Sequence, residues 1–126
     1  MKKIKIIALL ALILSFQACN EAETELPAPQ LQINVISKYL VPVADASVSL
    51  YATEDDWFLK QDTIATLQTD AAGKVLFESL EEQKYYFFVE KDGLDNTSDV
   101  AATKNALQIG QRFEVVTKLD QPIPLN

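Results

Sequence analysis

Ala46-Ser47-Val48-Ser49-Leu50-Tyr51-Ala52 alternates apolar and small polar residues along its length. Successive side chains of an extended chain point to opposite faces, so a period of two marks a strand with one buried face. Upstream, Leu31-Gln32-Ile33-Asn34-Val35 repeats the pattern, and Pro42, Ala44 and Asp45 break the chain between the two. Downstream, Thr63 to Thr69 is rich in β-branched residues, and Asp70-Ala71-Ala72-Gly73 supplies turn chemistry. Lys74 to Glu78 then reads as a short return strand. Lys84 to Glu90 is apolar on both faces, as a central strand is, and Lys91-Asp92-Gly93 ends it. Ala106 to Leu119 supplies one long strand or two, with Gly110 a candidate bulge or break. The tail from Gln121 to Leu125, with Pro122 and Pro124, is expected along an edge. A helical period is missing after Cys19, where Asn96 to Lys104 has room for one turn at most. Six or seven short strands in this span predict an all-β chain, folded as a single β-sandwich.

The start of the chain has a different character. Lys2, Lys3 and Lys5 precede an apolar run from Ile6 to Phe16, followed by Gln17 and Ala18. A charged start, a short apolar run and a small residue are the marks of a secretory signal peptide. The run is shorter than the roughly 20 residues that span a bilayer core. Phe16-Gln17-Ala18-Cys19 resembles a bacterial lipobox. The resemblance implies a diacylglycerol on the Cys19 thiol, cleavage after Ala18, and anchoring through palmitate-class acyl chains. It also accounts for a single cysteine in an exported chain. Asn20 to Gln30, with Glu21, Glu23, Glu25, Pro27 and Pro29, reads as a solvated tether. Its acidic start resembles the surface-export signal of lipoproteins from Bacteroidota. The expected organisation is therefore signal peptide 1–18, lipidated cysteine and tether 19–30, and sandwich 31–126.

Charge narrows the partners. The formal net charge of −7 falls to −10 once Lys2, Lys3 and Lys5 are removed. Such an excess repels phosphate backbones and anionic headgroups, so nucleic acid is not an expected partner. The membrane is met through the lipid. No disulfide is available to a chain with one cysteine, so the fold has to rest on its core.

Ala44 to Tyr51, then Thr69-Asp70-Ala71-Ala72-Gly73-Lys74-Val75-Leu76-Phe77, Leu80 and Tyr85-Tyr86-Phe87 resemble the carboxypeptidase regulatory-like domains. The pattern shared with them is a strand carrying A-x-V-x-L, a T-D-x-x-G-x-x-x-F hairpin, a leucine and a tyrosine-led strand. The resemblance spans roughly Leu31 to Gly93. It implies an Ig-like, transthyretin-like (prealbumin-like) sandwich of about seven strands and an accessory or display role. Val41-Pro42-Val43 and Gln83 stand where the family often has glycine. Related surface domains carry a Lys–Asn isopeptide bond. Lys38 matches the lysine, but the last strand offers no asparagine, Asn126 being terminal.

With no histidine, and its one cysteine assigned to the lipid, the chain lacks Cys/His and Ser/His/Asp machinery and His/Cys zinc sites. Paired carboxylates, Asp55-Asp56 or Asp92 with Asp95, remain; acid–base work needs one of them buried with a raised pKa. No catalytic residue and no cofactor is assigned, and neither haem nor nucleotide is expected. Asp92, Asp95, Asn96 and Asp99 form an oxygen-rich loop, read either as a weak calcium candidate or as a polar turn. Trp57 and Phe58 are binding candidates, an aromatic pair at a loop tip for a protein or sugar ring. The other reading folds Trp57 back to cap the sandwich. Asp62-Thr63-Ile64 resembles the O-glycosylation motif of Bacteroidota, which requires Thr63 to be exposed. The function expected is a non-enzymatic, lipid-anchored module of a Gram-negative outer membrane, presenting loops to an envelope protein or glycan. A small lipoprotein inhibitor or chaperone of one exported partner, and a carboxylate-based enzyme, are the alternatives.

Overall fold

Leu31, Ile33 and Val35 are buried while Gln32 and Asn34 between them are half-exposed, so the period of two read from the sequence becomes strand β1 (Gln30–Ile36). This computed structural model describes residues 25–122. The signal segment, Cys19, most of the acidic stretch and Asn126 lie outside the described residues. β2 (Ser47–Tyr51), β3 (Ala65–Gln68), β4 (Lys74–Phe77), β5 (Tyr86–Lys91), β6 (Leu94–Asp95) and β7 (Arg112–Lys118) follow, with one short helix, α1 (Glu54–Leu59), after β2.

The strands form two sheets, one in the order β4-β1-β7 and one in the order β3-β2-β5-β6. β1 pairs antiparallel with β4, Leu31 opposite Phe77, and parallel with β7 from Gln30–Arg112 to Ile36–Lys118. β2 pairs antiparallel with β3 and with β5, where Val48 faces Val89 and Leu50 faces Phe87. The inward residues of both sheets meet in one core of Leu31, Ile33, Val48, Leu50, Phe87 and Val89 with their neighbours. Burying each of these large side chains contributes about 1.5–3 kcal/mol, which is how the sandwich holds without a disulfide. Phe77 and Leu80 belong to the same cluster, as the sequence suggested.

Thr69 to Phe77 is not a hairpin. β3 and β4 lie in different sheets, and the turn between them carries the chain across the sandwich. Thr69 makes the crossing. Its buried hydroxyl donates to Val43 O at 2.6 Å and accepts from the Ala46 N–H at 2.9 Å, tying the end of β3 to the start of β2. Asp70 Oδ1 accepts from the N–H groups of Ala72 and Lys74, and Gly73 takes φ +75°. Gly73 O then accepts from Val35 N–H at 2.7 Å, which delivers β4 to β1. The turn residues act as expected, but they aim the chain at the opposite sheet.

Other expectations shift as well. Glu54 to Leu59 is helical where no helix was expected. Strand β3 begins only at Ala65, and β7 only at Arg112, with Gly110 in the preceding turn at φ +79°. Leu107 is buried in the core from outside any strand. Asp92 and Gly93, at φ 52° and 81°, form the two-residue turn of a β5–β6 hairpin, as Asp-Gly commonly does. Asp120 pairs with Asp95 of edge strand β6, just ahead of the tail expected at an edge, of which Ile123 to Leu125 lie outside the described residues. Upstream, the chain joins the fold before Gln30. Pro27 O accepts from Gly110 N–H at 2.7 Å and Pro29 O from Leu80 N–H at 3.1 Å.

Candidate functional site

α1 is six residues long and exists because its ends are satisfied. The Thr53 hydroxyl accepts from Asp56 N–H at 3.1 Å, and Glu54, Asp55 and Asp56 place negative charge on the first turn, where the helix dipole favours it. Lys60 closes the other end at φ 54°, a left-handed position usually given to glycine. The helix buries none of its residues fully, so its placement rests on one side chain. Trp57 turns onto the outer face of the larger sheet, and its indole N–H donates to Phe87 O at 3.0 Å.

That outer face is aromatic because β5 is apolar on both sides. Tyr85, Phe87 and Val89 enter the core, leaving Tyr86 and Phe88 half-buried on the opposite face. Trp57 covers part of this surface and separates two clefts. The larger, of about 520 Å³, runs past Trp57, Phe58 and Phe88 to Pro122, with Lys60, Asp95 and Thr97 as its polar groups. The smaller, of about 290 Å³, is lined by Trp57 and Tyr86 together with Glu54, Lys84, Ala101 and Ala102. Lysines lie over the rings on both sides: Lys60 Nζ stands 4.5 Å from the Trp57 ring centroid and 4.2 Å from that of Phe88, and Lys84 Nζ 5.4 Å from that of Tyr86. Lys60 also donates to Trp57 O at 2.5 Å. Burial pushes the Lys60 ammonium below its ordinary pKa of 10.5, and the charges of Asp95 and Glu90 pull it partly back.

The aromatic pair read from the sequence is thus divided. Trp57 folds back, onto the face of the larger sheet, while Phe58 stays 64% exposed at the rim of the larger cleft. The oxygen-rich loop does not converge. Asp92 sits in the hairpin turn, and Asp95 Oδ1 accepts from both the N–H and the hydroxyl of Thr97. Asn96 is fully buried; its Oδ1 accepts from Val89 N–H while its Nδ2 donates to Phe87 O and Val100 O. Asp99 Oδ2 accepts from Lys118 N–H. Among the described residues no three of His, Cys, Asp or Glu gather closely enough to hold a metal ion. Asp56 Oδ1 takes a hydrogen bond from Gln61 Nε2, and Asp55 faces solvent in the first turn of α1. Lys38 is exposed beside Tyr39, and Thr63 is exposed between α1 and β3. Cys19 lies outside the described residues.

Lys60, Lys84 and Phe88 were not singled out from the sequence, Glu54 was read only as a neighbour of Trp57, and Tyr86 only as part of a tyrosine-led strand. Their one local signal is Thr53-Glu54-Asp55-Asp56, a cap residue followed three positions later by an acid. That signal announces a helix start and hence a side chain able to turn onto the sheet.

No family model matches the chain, and no curated protein does. Solved structures do. BcpA, the major pilin subunit of Bacillus cereus, is 18% identical over 75% of this chain and 29% of its own, with a TM-score of 0.50. The pilus adhesin RrgA from Streptococcus pneumoniae is 15% identical over 77% of this chain and 16% of its own, TM-score 0.43. The 3-chlorocatechol 1,2-dioxygenase of Rhodococcus opacus 1CP is 11% identical over 76% of this chain and 61% of its own, TM-score 0.46. The chain spans less than two thirds of each of them. With two packed sheets and seven strands among its described residues, the chain is an all-β, Ig-like β-sandwich.

Proposed function

We propose that the chain is a non-enzymatic recognition module, held by a lipid on Cys19 to the outer membrane of a Gram-negative bacterium of the Bacteroidota type. The reading is carried by one succession: a lysine-rich start, an apolar run and Phe16-Gln17-Ala18-Cys19, placed ahead of an acidic stretch and a sandwich. In it the lipid supplies location, the acidic stretch supplies reach and surface export, and the sandwich meets an envelope protein or glycan. The carboxypeptidase regulatory-like pattern of Ala44 to Phe87 supports an accessory role, and the exposure of Thr63 is compatible with a glycan there. Asp95 and Asp99 are committed to backbone and hydroxyl donors of their own loop and of β7, which supports a binding role over acid–base chemistry.

The test labels the full-length protein with a radioactive fatty acid in a related host, beside Cys19→Ala, and then treats intact cells with protease. Label on the wild type alone, with loss of the domain to protease, is the expected result. Label with protection moves the domain to the periplasm, and no label on either removes the anchor. A second reading, an inhibitor or chaperone that holds one exported partner by strand addition, is favoured by β3. It is an edge strand whose residues Thr66 to Gln68 are exposed. A single stoichiometric partner lost on Thr66→Pro is its expected signature.

A further inference from the structure

The two clefts beside Trp57 share a chemistry. Each has an aromatic wall, one ammonium and one carboxylate: Phe88 with Lys60 and Asp95 on one side, Tyr86 with Lys84 and Glu54 on the other. A chain of formal charge −7 therefore carries, on this face, two adjacent hollows each lined by one ammonium and one carboxylate, with Glu90 also acting on Lys60. Neither hollow suits a small ion, because an anion and a cation alike meet a like charge in it. The polar groups of each instead offer a donor-only ammonium and an acceptor-only carboxylate beside an apolar wall. In the larger cleft Asp95 Oδ1 accepts from the N–H and the hydroxyl of Thr97, which fixes the carboxylate at the wall. The complement of such a set is an uncharged ring with an apolar C–H face and a rim of hydroxyls, which is a sugar. Two such hollows on either side of one indole suit successive units of a chain better than a single ring.

The reach of Lys60 points the same way. It is one of six left-handed residues other than glycine among those described, and its side chain stands over two rings, those of Trp57 and Phe88. Phe58, largely exposed and outside the core cluster, extends the apolar wall of the larger cleft without a structural task of its own.

We propose that the outer face of the four-stranded sheet is a groove for a neutral oligosaccharide, with one unit in each cleft and Trp57 between them. The inference rests on the reading of the chain as a recognition module. Trp57 is the only tryptophan, so its emission reports on the groove directly. The test titrates the protein as purified from the labelling host, in a detergent without a sugar headgroup, with cellohexaose, maltohexaose and mannohexaose. A galacturonate hexamer and a glucosamine hexamer serve as the anionic and cationic controls. At least one neutral hexamer is expected to change Trp57 emission saturably at up to about 10 mM, with its monosaccharide weaker by about tenfold or more. Phe58→Ala should weaken that hexamer by about fivefold or more with an unchanged thermal melt, whereas Leu67→Ala on β3 should leave it unaffected. No saturable change with any neutral hexamer, a stronger response to either charged hexamer, or an undiminished response in Phe58→Ala overturns the proposal. The two readings fail separately. A protein that takes up fatty acid and is cleaved on intact cells but ignores the hexamers keeps the module and loses the groove, and hexamer binding without label does the reverse.

Discussion

Leu40 holds φ at 64° in a loop organised by Ser37, whose hydroxyl accepts from the N–H groups of Tyr39 and Val41. A left-handed leucine costs roughly 1–2 kcal/mol, and with 72% of its surface exposed Leu40 recovers little by packing. Leu40→Asn should therefore raise stability by about 0.5–1 kcal/mol in urea unfolding, since asparagine tolerates this conformation. Gly73 is the opposite case. A methyl group there would stand 2.7 Å from Val35 O, at φ +75°. Gly73→Ala is expected to lose about 2 kcal/mol or more, because both the conformation and the close approach to β1 forbid the side chain. Lys60 adds a dependence on pH. Its folded pKa lies below 10.5, so between the folded value and 10.5 the unfolded chain binds more protons and stability rises with pH. The advantage is fully present above 10.5 and is lost as pH falls through the folded value. Lys60→Met should remove that slope, measured as the midpoint of urea unfolding from pH 8 to about 11. The left-handed Gly73 was legible in Asp70-Ala71-Ala72-Gly73. Leu40 was not, since leucine has no propensity for that conformation and only the geometry of its loop imposes it.

At the scale of elements, α1 is the part of the candidate site that sequence periodicity missed. A helix of six residues is too short to display a 3.6-residue period, and isolated helices of that length do not hold in water. Its caps and the seating of Trp57 on β5 make it. Thr53→Ala should cost about 1 kcal/mol and move Trp57 emission to the red as the indole loosens from Phe87 O; an unchanged spectrum would show that the tryptophan holds the helix without its cap. The strands were more legible. β1 and β2 appear where alternation placed them, because each has a face in the core and the pleat converts burial into a period of two, and β5, apolar on both faces, is central in its sheet. β3 and β7 were shorter than expected. Edge strands are held by ladders on one side only, and neither Thr63 nor Ala106 to Gly110 enters one.

The whole molecule depends on β1, the central strand of its sheet, which joins the antiparallel β4 to the parallel β7. Ile33, fully buried and paired with Val75 on one side and Val115 on the other, sits in the middle of it. Ile33→Ala is expected to cost about 2–5 kcal/mol. Trp57 fluorescence and far-ultraviolet dichroism should lose structure together, since both sheets share one core; separate transitions would mean that the sheets unfold independently. Composition and alternation by themselves determined an all-β chain with no disulfide, the inward residues of β1 and β2, and the turn at Asp70 to Gly73. These are local properties: a pleated strand with one buried face writes its period into the residues that form it. Tertiary structure alone decided that β3 and β4 part to different sheets, that β7 runs parallel to β1, and that Trp57 divides an aromatic face. Each of these depends on which partner a segment meets, and that is settled by buried contacts such as Thr69 with Val43 and Ala46, or Trp57 with Phe87, between residues far apart in the chain.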